Sequence, residues 1–87
     1  MVSDEEEKFC NILLQICEAL AEPDPEVTWY KDQIPIFNGG PYVVEKPSNG
    51  RSILTIDQLT KADSGLYTCM ARNTVGAMAR NFTLVSI

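Results

Sequence analysis

The chain has 87 residues, 45% of them hydrophobic, and a net charge of −5. That length holds one small domain with a core of its own and excludes a disordered tail or a multidomain array. An acidic surface repels phosphate backbones, so nucleic acid is excluded as the expected partner, and no apolar run is long enough to insert in a membrane.

The first predicted element covers residues 3–21, SDEEEKFCNILLQICEALA. On local signals alone it reads as a helix. Ser3 and Glu6 have the spacing of a capping box, and Asp4, Glu5, Glu6 and Glu7 fill a first turn whose dipole favours acids. Phe9, Ile12, Leu13, Ile16, Cys17 and Leu20 recur at helical spacing, and Pro23 stops the pattern. The acidic run reads either as a solvated end or as a docking site for a basic partner. Acids before the apolar run are the reverse of a secretory signal.

Beyond Pro23 the pattern changes to short β-type runs separated by turn residues. Val27–Asp32 (VTWYKD) is rich in β-formers. Residues 33–41 (QIPIFNGGP) read as loop or weak edge strand. Tyr42–Glu45 is a short run, followed by a turn cluster at Pro47–Gly50. Ser52–Asp57 alternates, with Leu54 and Ile56 on one face, and Leu66–Arg72 places Tyr67, Cys69 and Ala71 together. Asn73–Gly76 suits a hairpin connection into a last strand, Ala77–Ser86, which aligns Phe82 with Leu84.

The residues that carry chemistry are few. Cysteines stand at 10, 17 and 69, an odd number, which leaves one pair plus a free thiol or three free thiols. With no His and no C-x-x-C spacing, neither a zinc site nor any other cofactor is expected. No phosphate loop or nucleophile elbow occurs, and the acidic residues lie in solvated stretches, so no enzyme activity is expected. Cys10 reads as an idle or half-buried thiol.

Asp63-x-Gly65-x-Tyr67-x-Cys69, preceded by Leu54-x-Ile56-x-x-Leu59, resembles the E–F corner and strand F of an immunoglobulin domain. Cys17 followed by Pro23-x-Pro25-x-Val27-x-Trp29 resembles strands B and C, and the closing NTVGAMARNFTLVSI resembles the F–G hairpin and strand G. The cadence is similar to the I-set modules of giant muscle and cytoskeletal proteins, the titin, twitchin, obscurin and myosin light-chain kinase group. The resemblance implies an all-β, Greek-key sandwich over residues 11–87, with residues 1–10 an acidic segment, partly disordered or a remnant strand A. It also implies a core of Cys17, Trp29, Leu54, Ile56, Leu59, Asp63, Gly65, Tyr67 and Cys69. Cys17 and Cys69 would meet beside Trp29, as a disulfide or as packed thiols. Tyr67 would form a tyrosine corner, and Asp63 would cap the E–F turn or pair with a base such as Arg51.

The resemblance reopens the first element. If Cys17 lies on strand B, residues 11–17 extend, Leu13, Gln15 and Cys17 share a face, and Leu14 and Ile16 turn outward. Gln15 then stands where the family places an aliphatic residue. Strand and helix both remain open for residues 3–21, and strand A looks short or missing.

In function, the resemblance implies a non-catalytic structural and protein-interaction module, one link of a larger muscle or cytoskeletal protein in the cytoplasm. The alternative is an extracellular domain of an adhesion molecule or receptor. In that case the sequon Asn81-Phe82-Thr83 offers Asn81 for glycosylation. Expected partners are other proteins or neighbouring domains, with edge-strand self-association if strand A is absent. Ile36, Phe37, Tyr42 and Val43 are the candidate contact residues.

Overall fold

In a computed structural model of the chain, residues 12–85 are described. Among these residues seven strands form: β1 (Leu13–Glu18), β2 (Glu26–Lys31), β3 (Ile34–Ile36), β4 (Tyr42–Ser48), β5 (Arg51–Ile56), β6 (Gly65–Arg72) and β7 (Ala77–Leu84). They make two antiparallel sheets, a three-stranded one ordered β1-β5-β4 and a four-stranded one ordered β3-β2-β6-β7. The chain changes sheet between β1 and β2, between β3 and β4, and between β5 and β6, the Greek-key winding of an immunoglobulin sandwich.

The first element is a strand. β1 pairs with β5 along its whole length, from Leu13 opposite Ile56 to Glu18 opposite Arg51. Leu13, Gln15 and Cys17 face inward and are half-buried, while Leu14 and Ile16 turn outward with 57% and 51% exposure. Local helical signals lose because six consecutive residues here gain ladder bonds to β5 and cover the sandwich interior. The helix reading of residues 3–11, the segment 1–10, Cys10 and Ser86 lie outside the described residues.

One connection differs from expectation, and one resolves between the two readings given for it. β4 does not stop at Glu45; it runs through Pro47 to Ser48, with a register shift between Glu45 and Ser48. Pro47 is tolerated because β4 is an edge strand and the irregularity spares the missing N–H. Residues 33–41 include a real edge strand, β3, which joins β2 through Asp32 and Gln33, both at positive φ (49° and 70°). Two such residues form the primed turn that matches strand twist.

The core lies between the sheets, around Trp29, Leu54, Ile56 and Tyr67, each at most 2% exposed. Val27, Ile36, Cys69 and Ala71 complete the buried set, and Leu13, Cys17, Leu59, Phe82 and Leu84 pack against it half-buried.

Candidate functional site

The sequence constellation is assembled between β1, β2, β5 and β6. Cys17 and Cys69 form a disulfide joining the two sheets, with their Cα atoms 6.5 Å apart. Trp29 stands beside Cys69 in the β2–β6 register. Its indole N–H donates to Ser52 Oγ at 2.9 Å, and the Ser52 hydroxyl donates to the Glu45 carbonyl at 3.0 Å. Ser52 is 1% exposed and lies opposite Cys17. Sequence reasoning missed it. The signal was present, since a buried indole needs an acceptor and Ser52 shares the parity of Leu54 and Ile56.

At the corner before β6, the Tyr67 hydroxyl donates to the Asp63 carbonyl at 2.5 Å, and its ring stacks on Phe82 with centroids 5.2 Å apart. Burial pushes the Tyr67 phenol well above its usual range, and the charges of Tyr42, Asp63 and Asp32 add to the effect. Burial followed by the Asp63 charge raises Tyr42 as well. Asp63 closes the 3-10 turn Lys61–Asp63: its carboxylate accepts from the Thr60 N–H at 2.8 Å and from the Thr60 hydroxyl at 3.3 Å. Of the two roles considered for Asp63, the structure places it in the cap. Arg51 is not its partner; Arg51 Nε is buried with no hydrogen-bond partner among the described residues. At Gly65 an added Cβ would come within 2.9 Å of the Asp32 carboxylate, which itself accepts from the Leu66 N–H at 3.0 Å.

The four candidate contact residues do not make one patch. Ile36 is a correction: it pairs with Trp29, faces the core and is 7% exposed, so no partner can reach it. Tyr42 is half-buried against the same core. Phe37 is exposed just past β3 and Val43 lies on the outer face of β4, a strand of the other sheet. Asn81 is exposed on β7 and accepts from the Thr68 hydroxyl at 2.9 Å, while Phe82 points inward.

Three surfaces stand out instead. Ile12, Leu14 and Ile16 line the outer side of β1. A shallow apolar cleft of about 280 Å³ at one end of the sandwich includes Leu20, Val75 and Met78. A gap of about 100 Å³ opens between β1 and β7, lined by Gln15, Cys17, Arg80 and Phe82 among others. Among the described residues no group of three or more His, Cys, Asp or Glu side chains is arranged to hold a metal, and no helix is long and apolar enough to cross a membrane.

Comparison with known proteins agrees with this geometry. The family model of the immunoglobulin I-set domain matches residues 12–85. The chain is 39% identical over 74 residues to the immunoglobulin domain-containing protein oig-4 of Caenorhabditis elegans, covering 80% of this chain and 48% of that protein. It is 45% identical over 56 residues to the muscle M-line assembly protein unc-89 of the same organism, covering 63% of this chain and 1% of that protein. The chain thus spans half or much less of the length of these relatives. Among solved structures, titin domain M7 superimposes with a TM-score of 0.79 at 32% identity, covering 86% of this chain and 76% of that one. Relatives of the chain include both muscle proteins and extracellular or cell-surface proteins. On the matched span, the disulfide-linked strands, the tryptophan beside them and the tyrosine corner, the chain belongs to the immunoglobulin I-set domain family.

Proposed function

We propose that the chain is a non-catalytic structural and protein-interaction module, one immunoglobulin link of a larger muscle or cytoskeletal protein. The observation that carries this reading is the likeness to an M-line assembly protein in sequence and to a titin domain in structure. The geometry supports it. The polar groups of the interior serve the fold: the indole meets a serine, the phenol meets a backbone carbonyl and Asp63 caps a turn. The exposed apolar residues instead lie on the surface of a rigid sandwich, where contacts with neighbours form. The cytoplasm is the favoured compartment, where reducing conditions would open the Cys17–Cys69 bond and leave two packed thiols.

A second reading, an extracellular domain of an adhesion molecule or receptor, is favoured by the disulfide and by exposed Asn81 in its sequon. Mass spectrometry of the protein from its own cells separates the two. Free thiols at Cys17 and Cys69 with bare Asn81 support the muscle or cytoskeletal link; an oxidised pair with sugar on Asn81 overturns it in favour of the second.

A further inference from the structure

The outer face of the three-stranded sheet is apolar at its centre. Alternation turns Leu14 and Ile16 of β1, Ile53 and Thr55 of β5 and Val43 of β4 outward, and the register sets them in two adjacent rows, Leu14–Thr55–Val43 and Ile16–Ile53–Glu45. Ile53 and Thr55 are half-buried by their neighbours, while Leu14, Ile16 and Val43 stay exposed. No described element lies over this face, and a further strand paired beside β1 would widen it without covering it. The charges stand around the apolar centre. Arg51 opens β5 and Asp57 follows it, turned outward by the same alternation, since its N–H donates to the Pro41 carbonyl at 3.4 Å and continues the ladder with β4. Glu18 lies opposite Arg51 and Glu45 opposite Ile53, both on the flanking strands. Even so, neither the Arg51 nor the Asp57 side chain has a hydrogen-bond or ion-pair partner among the described residues, and Arg51 Nε is buried without one.

We propose that this face packs against the same face of a second copy of the chain, with Arg51 of each copy paired to the partner's Asp57. The central strand is self-complementary. It carries opposite charges at its two ends, about 20 Å apart, at equal distances from Leu54. A two-fold axis that lies in the plane of the face, runs across the strands and passes over Leu54 therefore brings each guanidinium onto a carboxylate, twice per dimer. The same axis sets Ile16 and Ile53 over the partner's Leu14 and Thr55, so the apolar rows close on each other as two aligned sheets do. Glu18 and Glu45 fall on the flanking strands, at the wet rim of the contact. A two-fold along the strands would pair Glu18 with Arg51 but would set Asp57 against Ile12 and leave β4 uncovered. Three strands present less area than a standard interface, so the dimer is a weak one whose partner is chosen by charge. Pairing of this kind needs neither the parent protein nor the compartment proposed above, so this test and the thiol and glycan test fail separately.

Sedimentation equilibrium of the full chain, from roughly 10 to 500 μM, tests the pairing. The average mass should climb from monomer toward dimer over that range. Ile16→Asp, at an exposed position, should weaken association about tenfold or more. Arg51→Asp and Asp57→Arg should each be monomeric alone, because like charges then face each other across the axis. An equimolar mixture of the two should dimerise as the unaltered chain does, since every contact in the mixed dimer again joins opposite charges. Circular dichroism checks that each variant folds. If Arg51→Asp does not fold, Asp57→Arg still has to weaken association about tenfold by itself, because Asp57 is exposed. A strict monomer at every concentration overturns the pairing and leaves the face to a different protein or to the chain's own residues 1–11. A dimer indifferent to Ile16→Asp or to Asp57→Arg overturns it in favour of another surface. A mixture of folded variants that stays monomeric overturns the axis over Leu54.

Discussion

Trp29 and Ser52 come from opposite sheets and meet in a hydrogen bond of 2.9 Å inside the sandwich. Ser52 passes the bond on to the Glu45 carbonyl, so three strands share one polar chain within an apolar core. Ser52→Ala leaves the indole N–H buried without an acceptor, which costs about 1–3 kcal/mol. Urea unfolding followed by tryptophan fluorescence measures it. An unchanged midpoint would show that the indole bond contributes nothing.

The Cys17–Cys69 bond closes a loop with a sequence separation of 52 residues. In the chain-entropy model such a closure stabilises by about 4 kcal/mol. Domains of this size have a total stability of roughly 5–10 kcal/mol, so the loss should be evident. Unfolding with and without a phosphine reductant should show the midpoint falling steeply in the reduced sample. Equal midpoints would mean that the two sulfurs stabilise the fold as well apart as joined.

Tyr67→Phe keeps the stack on Phe82 and removes only the bond to the Asp63 carbonyl. The expected cost is about 1 kcal/mol. The same residue sets a pH dependence. Its phenol is held protonated in the fold by burial, while an unfolded tyrosine ionises near pH ~10. Because the folded value is the higher one, the contribution is complete below about pH 10 and is lost as the pH rises beyond it. Melting curves from pH 7 to 12 should stay flat and then fall, and the variant should fall less.

Gly50 is buried at φ 75° in the turn from β4 to β5. A Cβ there would run into the Ala19 carbonyl oxygen, while the Gly50 carbonyl accepts from the Ala19 N–H at 2.7 Å. Gly50→Ala combines positive-φ strain with that clash and should cost about 1–3 kcal/mol or more. Gly40→Ala offers a control with similar φ and open space, and it should cost less. Equal losses would mean that the Ala19 contact is immaterial.

The strands from β2 onward could be read from the sequence because alternation and fixed offsets coincide there. Tyr67, Cys69 and Ala71 share a face by parity alone, and Trp29 and Cys69 are tied by the family cadence. β1 could not be read from its own residues, since SDEEEKFCNILLQICEAL satisfies helix rules and only the need of β5 for a neighbour decides for a strand. The β2–β3 hairpin was hidden by chemistry. Gln33 at φ 70° is not a usual turn residue, and the turn is held by Asp32, whose carboxylate and N–H both bond Leu66, a residue far along the chain. The same limit applies to the contact residues. Ile36 looked available because residues 33–41 read as loop or weak edge strand, and pairing with Trp29 turned it inward.

If this domain works as one link in a chain under load, the bridge between Cys17 and Cys69 fixes how far it can stretch. The 52-position span between the sulfurs would add about 170 Å of contour if drawn out, and the covalent tie withholds that length from any pull applied at the two ends. Oxidised, the domain keeps that length locked away from the load; reduced, the same length becomes a reserve of slack.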